Sequence, residues 1–223
     1  MDYMELVNVT CPPEIAVEVR AMTGNAASGD TLWDLAPGLE PDCGNNVLGL
    51  LADKVDADAD DIFLSAYFTA ATRMSNTLTT DVRATIGNAA SQVNIEDRPD
   101  LARTYFTALM VNRIDIREAL ALRAIGPLWG GDPRSVAWQY HLYLAALDTP
   151  DAVKALADHT ATIENGNDAT NLLRSMATLR KPAIRDVLAT YSDDMRHADG
   201  PDGPGARISE TVTVLIDTYQ WTE

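Results

Sequence analysis

Three histidines, two cysteines and one run of aspartates are the residues of this chain whose types could do chemistry. His141, His159 and His197 stand 18 and 38 residues apart. With no HExxH, no His–Glu pairing and no CxxC, they do not assemble a preformed zinc or di-iron ligand set. Cys11 and Cys43 sit in the N-terminal part of the chain, behind a first stretch that lacks a secretory signal. Thiols in that setting are expected reduced rather than bridged. The run DADADD (Asp56 to Asp61) offers carboxylates at positions one, three and five of an EF-hand-like loop. Position six needs Gly and position twelve a bidentate Glu, but Asp61 and Tyr67 stand there, so an acidic turn capping the following helix is the better reading. Asn8-Val9-Thr10 is a glycosylation sequon by letter, with no export signal to give it meaning. His141, inside WQYHLYL, reads as a packed imidazole. No Gly-rich phosphate loop, serine elbow or nucleophile–base pair occurs, so no catalytic residue is assigned and no cofactor or metal is expected.

Binding chemistry has better candidates than catalysis. Trp129, Trp138, Tyr140, His141 and Tyr143 fall within 15 residues, next to a segment carrying Arg113, Arg117 and Arg123. Aromatic and arginine side chains dominate the energetics of protein interfaces, because they bury much area and donate many hydrogen bonds. Arg113, Arg117, Arg123, Trp129, Trp138 and Tyr140 are therefore the candidate partner-binding residues. The competing reading makes the aromatics core between neighbouring helices, and the arginines solvated faces paired with acids at i,i+4 spacing.

The charge is strongly acidic, and its composition says more than its size. The formal net charge is -16, built from 24 Asp against 9 Glu and from 14 Arg against 3 Lys. Residues 1–97 carry 16 acids and 4 bases, and residues 98–223 carry 17 and 13, nets of -12 and -4. An Asp-rich, Lys-poor surface of this kind resembles proteins of salt-in halophilic archaea and their viruses, in which hydrated carboxylates keep the chain soluble. In molar salt the screening length falls to about 3 Å, so the acidity would then report the solvent rather than the partner. In dilute salt it would repel nucleic acid and anionic membrane.

These residues must be positioned by elements, and the elements read as helices. A chain of 223 residues with 46% hydrophobic content is long enough for a sizeable core. No apolar run reaches the roughly 18 residues of a membrane span, so no membrane partner is expected. MDYMELVNVT has two acids, no base and no apolar core of a signal peptide, which makes cytoplasm the default location. From residue 58 on, apolar residues recur at three- and four-residue spacing. Ile62, Phe63, Ala66, Tyr67, Ala70 and Met74 form one such face; Val82, Ile86, Ala89, Ala90 and Val93 form the next. Asp81, Asp115 and Asp151 mark helix starts, where a carboxylate accepts an orphan N–H. Pro99, Pro133, Pro150 and Pro182 fall in opening turns, where a missing N–H costs little. An all-α fold follows. Residues 1–57, which include the Gly-, Pro- and Asp-rich stretch SGDTLWDLAPGLEPDCGNN, read as atypical N-terminal capping helices, and residues 58–223 as one continuous domain of helical repeats.

A period supports that division. DVR begins at Asp81, DIR at Asp115 and DAV at Asp151, spacings of 34 and 36 residues. A unit of that length holding two antiparallel helices is the mark of a helical solenoid. DVRATIGNAASQV and DIREALALRAIGPL resemble the second helix of a HEAT repeat, with Asp81-Val82-Arg83 and Asp115-Ile116-Arg117 on the family's Asp-Val-Arg pattern. Asp151-Ala152-Val153-Lys154 departs from it, and Ala183-Ile184-Arg185 lacks the leading Asp. The resemblance spans roughly residues 60 to 200 and implies antiparallel helix pairs stacked as a short α-solenoid, with Asp and Arg tying consecutive turns together; a generic helical bundle is the competing architecture. EVRAMTGNAAS (Glu18 to Ser28) and DVRATIGNAAS (Asp81 to Ser91) share eight of ten positions from the valine onward and read as inner helices of two such units.

The resulting expectation is a non-catalytic scaffold that binds another protein or peptide. The alternative is a HEAT-like nucleic-acid module of the DNA glycosylase type, recruiting Arg113, Arg117, Trp129, Trp138 and Asp132. A structural component of a virion or other assembly is the third reading.

Overall fold

The computed structural model describes residues 2–24, 28–121, 134–160, 166–198 and 204–221. Among the described residues there are thirteen α-helices and no strand, as the periodicity predicts. No helix among them is long and apolar enough to cross a membrane. The chain divides into two compact units, Met1–Arg123 and Ala124–Glu223.

The first unit holds α1 (Tyr3–Thr10), α2 (Pro13–Gly24), α3 (Gly29–Leu35), α4 (Pro41–Leu51), α5 (Asp61–Arg73), α6 (Thr80–Ala90), α7 (Pro99–Asn112) and α8 (Arg117–Ala121). Short polar side chains start them. Asp2 accepts from the Met4 amide at 2.9 Å, Ser28 from Thr31 at 3.3 Å and Asp60 from Ile62 at 2.9 Å. At α6 the cap is Thr79, which accepts from Val82 at 3.3 Å; Asp81 lies in the first turn rather than at the cap. Pro41 and Pro99 open α4 and α7, where no N–H is required of them.

Helices in this unit pack mainly on alternate partners. α3 lies on α5 and α5 on α7, while α1 lies on α4 and α4 on α6. The first row is joined by aromatic rings: Phe68 of α5 meets Tyr105 of α7 edge-on, centroids 5.0 Å apart. Where α3 meets α5 the backbones approach so closely that a Cβ at Gly29 would fall 2.5 Å from the Phe63 nitrogen, and only glycine fits. Buried hydroxyls find carbonyls across helices. Tyr67 donates to Leu48 O at 3.0 Å, and Tyr105 to Ala90 O at 2.9 Å. Burial, with smaller contributions from Tyr3 and Asp53, pushes the Tyr67 phenol well above its ordinary value, which keeps it a donor.

Two expectations change here, and one, the helical reading of residues 1–57, holds. The boundary predicted at 57/58 is replaced by one at 123/124, because Leu32, Val47, Leu48 and Leu51 of the N-terminal helices are fully buried and α3 and α4 pack on α5 and α6. The Gly- and Asp-rich stretch after Ser28 holds a helix, α3, which its capping serine starts. Ile62, placed on the buried face of α5 by its spacing, is 53% exposed although Gly29 of α3 packs against its backbone and Cγ2. The rest of that face, from Phe63 to Met74, is buried, as is the whole predicted face of α6.

Cys11 and Cys43 form a disulfide, which corrects the expectation of free thiols. The sequence separates them by 32 residues, but α1 and α2 both pack on α4 and bring their Cα atoms to 4.7 Å, within bridging range. A bond of this kind persists in oxidising surroundings.

The second unit holds α9 (Val136–Leu147), α10 (Pro150–Thr160), α11 (Gly166–Ala177), α12 (Pro182–Ala198) and α13 (Pro204–Thr218). Ser135 caps α9 by accepting from the Trp138 amide at 3.2 Å. α9 packs on α11 and α11 on α13; α10 packs on α12; the consecutive pairs α9–α10 and α12–α13 also pack closely. A buried polar contact joins the last pair. Ser192 and Ser209 hydroxyls meet at 2.9 Å, and Arg196 Nε donates to Ser209 Oγ at 3.2 Å.

Candidate functional site

Of the residues put forward for partner binding, Arg113 and Arg117 lie in the first unit and Trp138 and Tyr140 in the second. Arg123 and Trp129 lie outside the described residues, as does Asp132 of the nucleic-acid alternative. Trp138 and Tyr140 are each 3% exposed, so they serve as packed side chains of α9 and present no anchor to a partner. Here the core alternative for the aromatics holds. Tyr140 stacks on Tyr143 with centroids 6.2 Å apart. Arg117 is bound to Asp115: its Nε donates to both carboxylate oxygens, at 2.9 and 3.0 Å, and the same carboxylate takes the Arg117 amide. That arrangement ties one turn together in place of reaching for a ligand. Arg113 is exposed, at the left-handed residue that ends α7 (φ 53°). His141 is buried, with Nδ1 2.6 Å from Ala137 O, in keeping with the packed imidazole read from the sequence.

The acidic run is occupied by the protein itself. Asp60 caps α5, and Arg98 reaches in from the start of α7. Its guanidinium donates to the carbonyls of Ala57 and Ala59 at 2.5 and 2.7 Å and pairs with Asp61 at 2.5 Å. The Ala57 and Ala59 carbonyls and the Asp61 carboxylate are thus held by a guanidinium of the same chain.

A cleft in the first unit is the built feature that the sequence did not reveal. It has a volume of about 260 Å³ and is lined by Tyr3 and Thr10 of α1, Asp42, Asn45 and Asn46 of α4, and Thr79, Asp81 and Val82 at the start of α6. Asn45 builds its floor. The buried amide donates to Pro41 O at 2.8 Å and Thr77 O at 2.9 Å, and accepts from the Thr79 amide at 2.9 Å. It thereby fixes the entry to α6 against the first turn of α4. On the facing wall Asn46 Nδ2 donates to Thr10 Oγ1 at 2.9 Å, and Thr10 donates to Leu6 O at 2.8 Å. The disulfide lies one residue from both walls, joining the neighbours of Thr10 and Asp42. Tyr3 lies over Gly49, whose missing side chain leaves room for the ring.

The cleft's electrostatics are one-sided. Among the described residues that line it, Asp42 and Asp81 are the charged ones, and no basic side chain is among them. Both are exposed, and neither carboxylate is engaged in a hydrogen bond or ion pair among the described residues. Only a weak sequence signal pointed here: Asp42 and Asp81 each fall in the first turn of a helix, a position equally explained by the helix dipole. Comparison with family models, with curated proteins and with solved structures returned no match.

Proposed function

We propose that the chain is a non-catalytic interaction scaffold, built of stacked HEAT-like helix pairs, that binds another protein or peptide. The observation that carries this reading is the alternate packing of helices within each unit: α3 on α5 on α7 beside α4 on α6, and α9 on α11 on α13 beside α10 on α12. Two rows of helices, each row packing on itself, is the arrangement by which repeat proteins offer extended surfaces to partners. Asp115 holds Arg117 within its own turn, a structural job for that pair but not the tie between consecutive turns that the HEAT pattern implies. The 24 Asp against 9 Glu, with 3 Lys, support a setting of concentrated salt.

The test is capture of the tagged full chain's partner from native lysate at high salt, followed by reconstitution of the purified pair. A single protein recovered at fixed stoichiometry and rebinding in ultracentrifugation is the expected result. Recovery of DNA alone, or turnover of a nucleic-acid substrate, overturns the scaffold. Thermal unfolding checks the salt setting: the midpoint should rise between about 0.1 M and about 1 M KCl as carboxylate repulsion is screened, and an unchanged midpoint would remove that part.

A further inference from the structure

The bridge between Cys11 and Cys43 sits where the first two helices are fastened to the rest of their unit. We propose that it is a redox latch: a dithiol reductant opens it in the folded chain and frees α1 and α2 from α4, while the other helices of the unit stay folded. The latch belongs to the fold and does not depend on which partner the scaffold takes.

The pair α1–α2 is thinly held. Its 8 and 12 residues bury Val7, Ala16, Val19 and Met22, with no aromatic ring among them, whereas α5 alone buries Phe63, Tyr67 and Phe68. Both helices pack chiefly on each other and on α4. Along α4 the points that meet α1 are Cys43, Asn46 and Gly49, spaced three residues apart on one side of the helix. Cys11 bridges Cys43, Thr10 accepts from Asn46 at 2.9 Å, and Tyr3 lies over Gly49. A cysteine, an asparagine and a glycine give that seam little apolar area to hold it shut. Among the described residues one hydrogen bond crosses it, from Asn46 to Thr10. The bridge is the strongest tie there. The remaining helices have supports of their own. Phe68 joins α5 to α7, Tyr67 joins α5 to α4 through Leu48 O, and Asn45 joins α4 to the entry of α6 through Thr77 and Thr79.

The chemistry runs in one direction across the bridge. Cys11 is 8% exposed and precedes the exposed Pro12, so its sulfur is the one a reductant meets; Cys43 is fully buried. A thiolate of the dithiol attacks Cys11 Sγ, the S–S bond breaks, and its electron pair leaves on Cys43 Sγ. The reductant's second thiol then displaces Cys11 from the mixed disulfide. The reductant ends as its own disulfide, and its two protons go to Cys11 and Cys43. Cys43 stands in the first turn of α4, which no side chain caps, so the free amides of that turn favour its thiolate as the leaving group. Burial opposes that charge, and the opposition ends when α1 lifts away.

The experiment follows hydrogen–deuterium exchange of the full chain by mass spectrometry when oxidised, after dithiothreitol, and after reoxidation, with thiol counting by mass tag in each state. Dithiothreitol is expected to open the bridge without denaturant. Exchange in α1 and α2 should then accelerate about tenfold or more, with α5 and α7 held within about twofold, and reoxidation should restore the first pattern. C11S/C43S should exchange like the reduced chain and ignore dithiothreitol. A bridge that yields only in denaturant overturns the latch. So does acceleration across the whole unit, which makes the bridge a general staple, and so does unchanged exchange in reduced α1 and α2, which means the seam holds without it.

Discussion

Residues 18–28 and 81–91 carry nearly the same letters and end as different objects. In the second copy, α6 runs through Gly87 and Asn88 to Ala90, and Ser91 closes it by donating to Asn88 O at 2.7 Å. In the first, α2 ends at Gly24, and Ser28 starts the next helix by accepting from Thr31. The arginines diverge likewise. Arg20 reaches Asn8 on the surface at 2.7 Å, whereas Arg83 donates to Ser75 O at 3.0 Å from a part-buried position. The valines do not diverge: Val19 and Val82 are both buried. Sequence identity thus preserved one inward valine, while Thr23 and Gly24 stay out of a core that takes in Ile86 and Gly87 in the second copy. α6 has α4 and α7 against it, and α2 has α1 and α4. Three positions differ, Glu18/Asp81, Met22/Thr85 and Thr23/Ile86, and the last carries much of the difference. Thr23 stands where the second copy has Ile86, which is fully buried.

That pair gives the largest test of the comparison. Ile86→Ala removes a buried side chain and is expected to cost about 2–5 kcal/mol, through lost burial and the cavity left behind. Thr23→Ala changes a half-buried residue that only bonds Arg20 O in its own turn, and should stay within about 1 kcal/mol. Chemical denaturation of both variants measures the gap. Similar losses would mean that the two copies are equally integrated, and would sink the account of why α6 continues.

A second test acts on the first copy alone. α2 follows Cys11 directly, so the bridge to Cys43 anchors the segment that carries residues 18–28. Closing a loop of 32 residues is worth about 3–4 kcal/mol by chain entropy. The C11S/C43S variant should lose about that much, with amide exchange accelerating in α1 and α2 before α6. Uniform acceleration across the unit would show that the bridge holds no particular part of it.

Much of this architecture was legible in the letters. The apolar faces of α5 and α6 were, because three- and four-residue spacing translates directly into a buried stripe. The opening prolines of α7, α10 and α12 were, because a missing N–H has few other places to go. What could not be read depended on which helices meet. The Cys11–Cys43 bridge is invisible without knowing that α1 and α2 lie on α4. The burial of Trp138 and Tyr140 is invisible because α9 is apolar nearly all round, and a stripe with no polar side does not say which aromatics face out. The cleft was hidden most completely. Its floor is one asparagine whose three hydrogen bonds join residues up to 34 positions away, and nothing about an Asn in PDCGNN announces that.

The smallest effect is also the one with opposite signs in the two copies. Gly24 and Gly87 are aligned, and both are glycines with a neighbouring asparagine. A Cβ at Gly24 would meet nothing within 4 Å, and the position ends a helix in ordinary backbone conformation. Gly24→Ala should therefore stabilise by a few tenths to about 1 kcal/mol, by restricting the unfolded chain. At Gly87 the same substitution gains helix propensity, but its Cβ would sit 2.9 Å from Ile114 Cγ2. That methyl is on a β-branched side chain with little χ1 freedom, so it cannot simply swing away. Overpacking of this kind costs about 1–3 kcal/mol, more than the roughly 1 kcal/mol that alanine returns in a helix interior. Gly87→Ala is expected to lower the denaturation midpoint and Gly24→Ala to raise it. If both raise it, the contact between α6 and Ile114 is looser than described, and close packing is not what keeps glycine in the second copy.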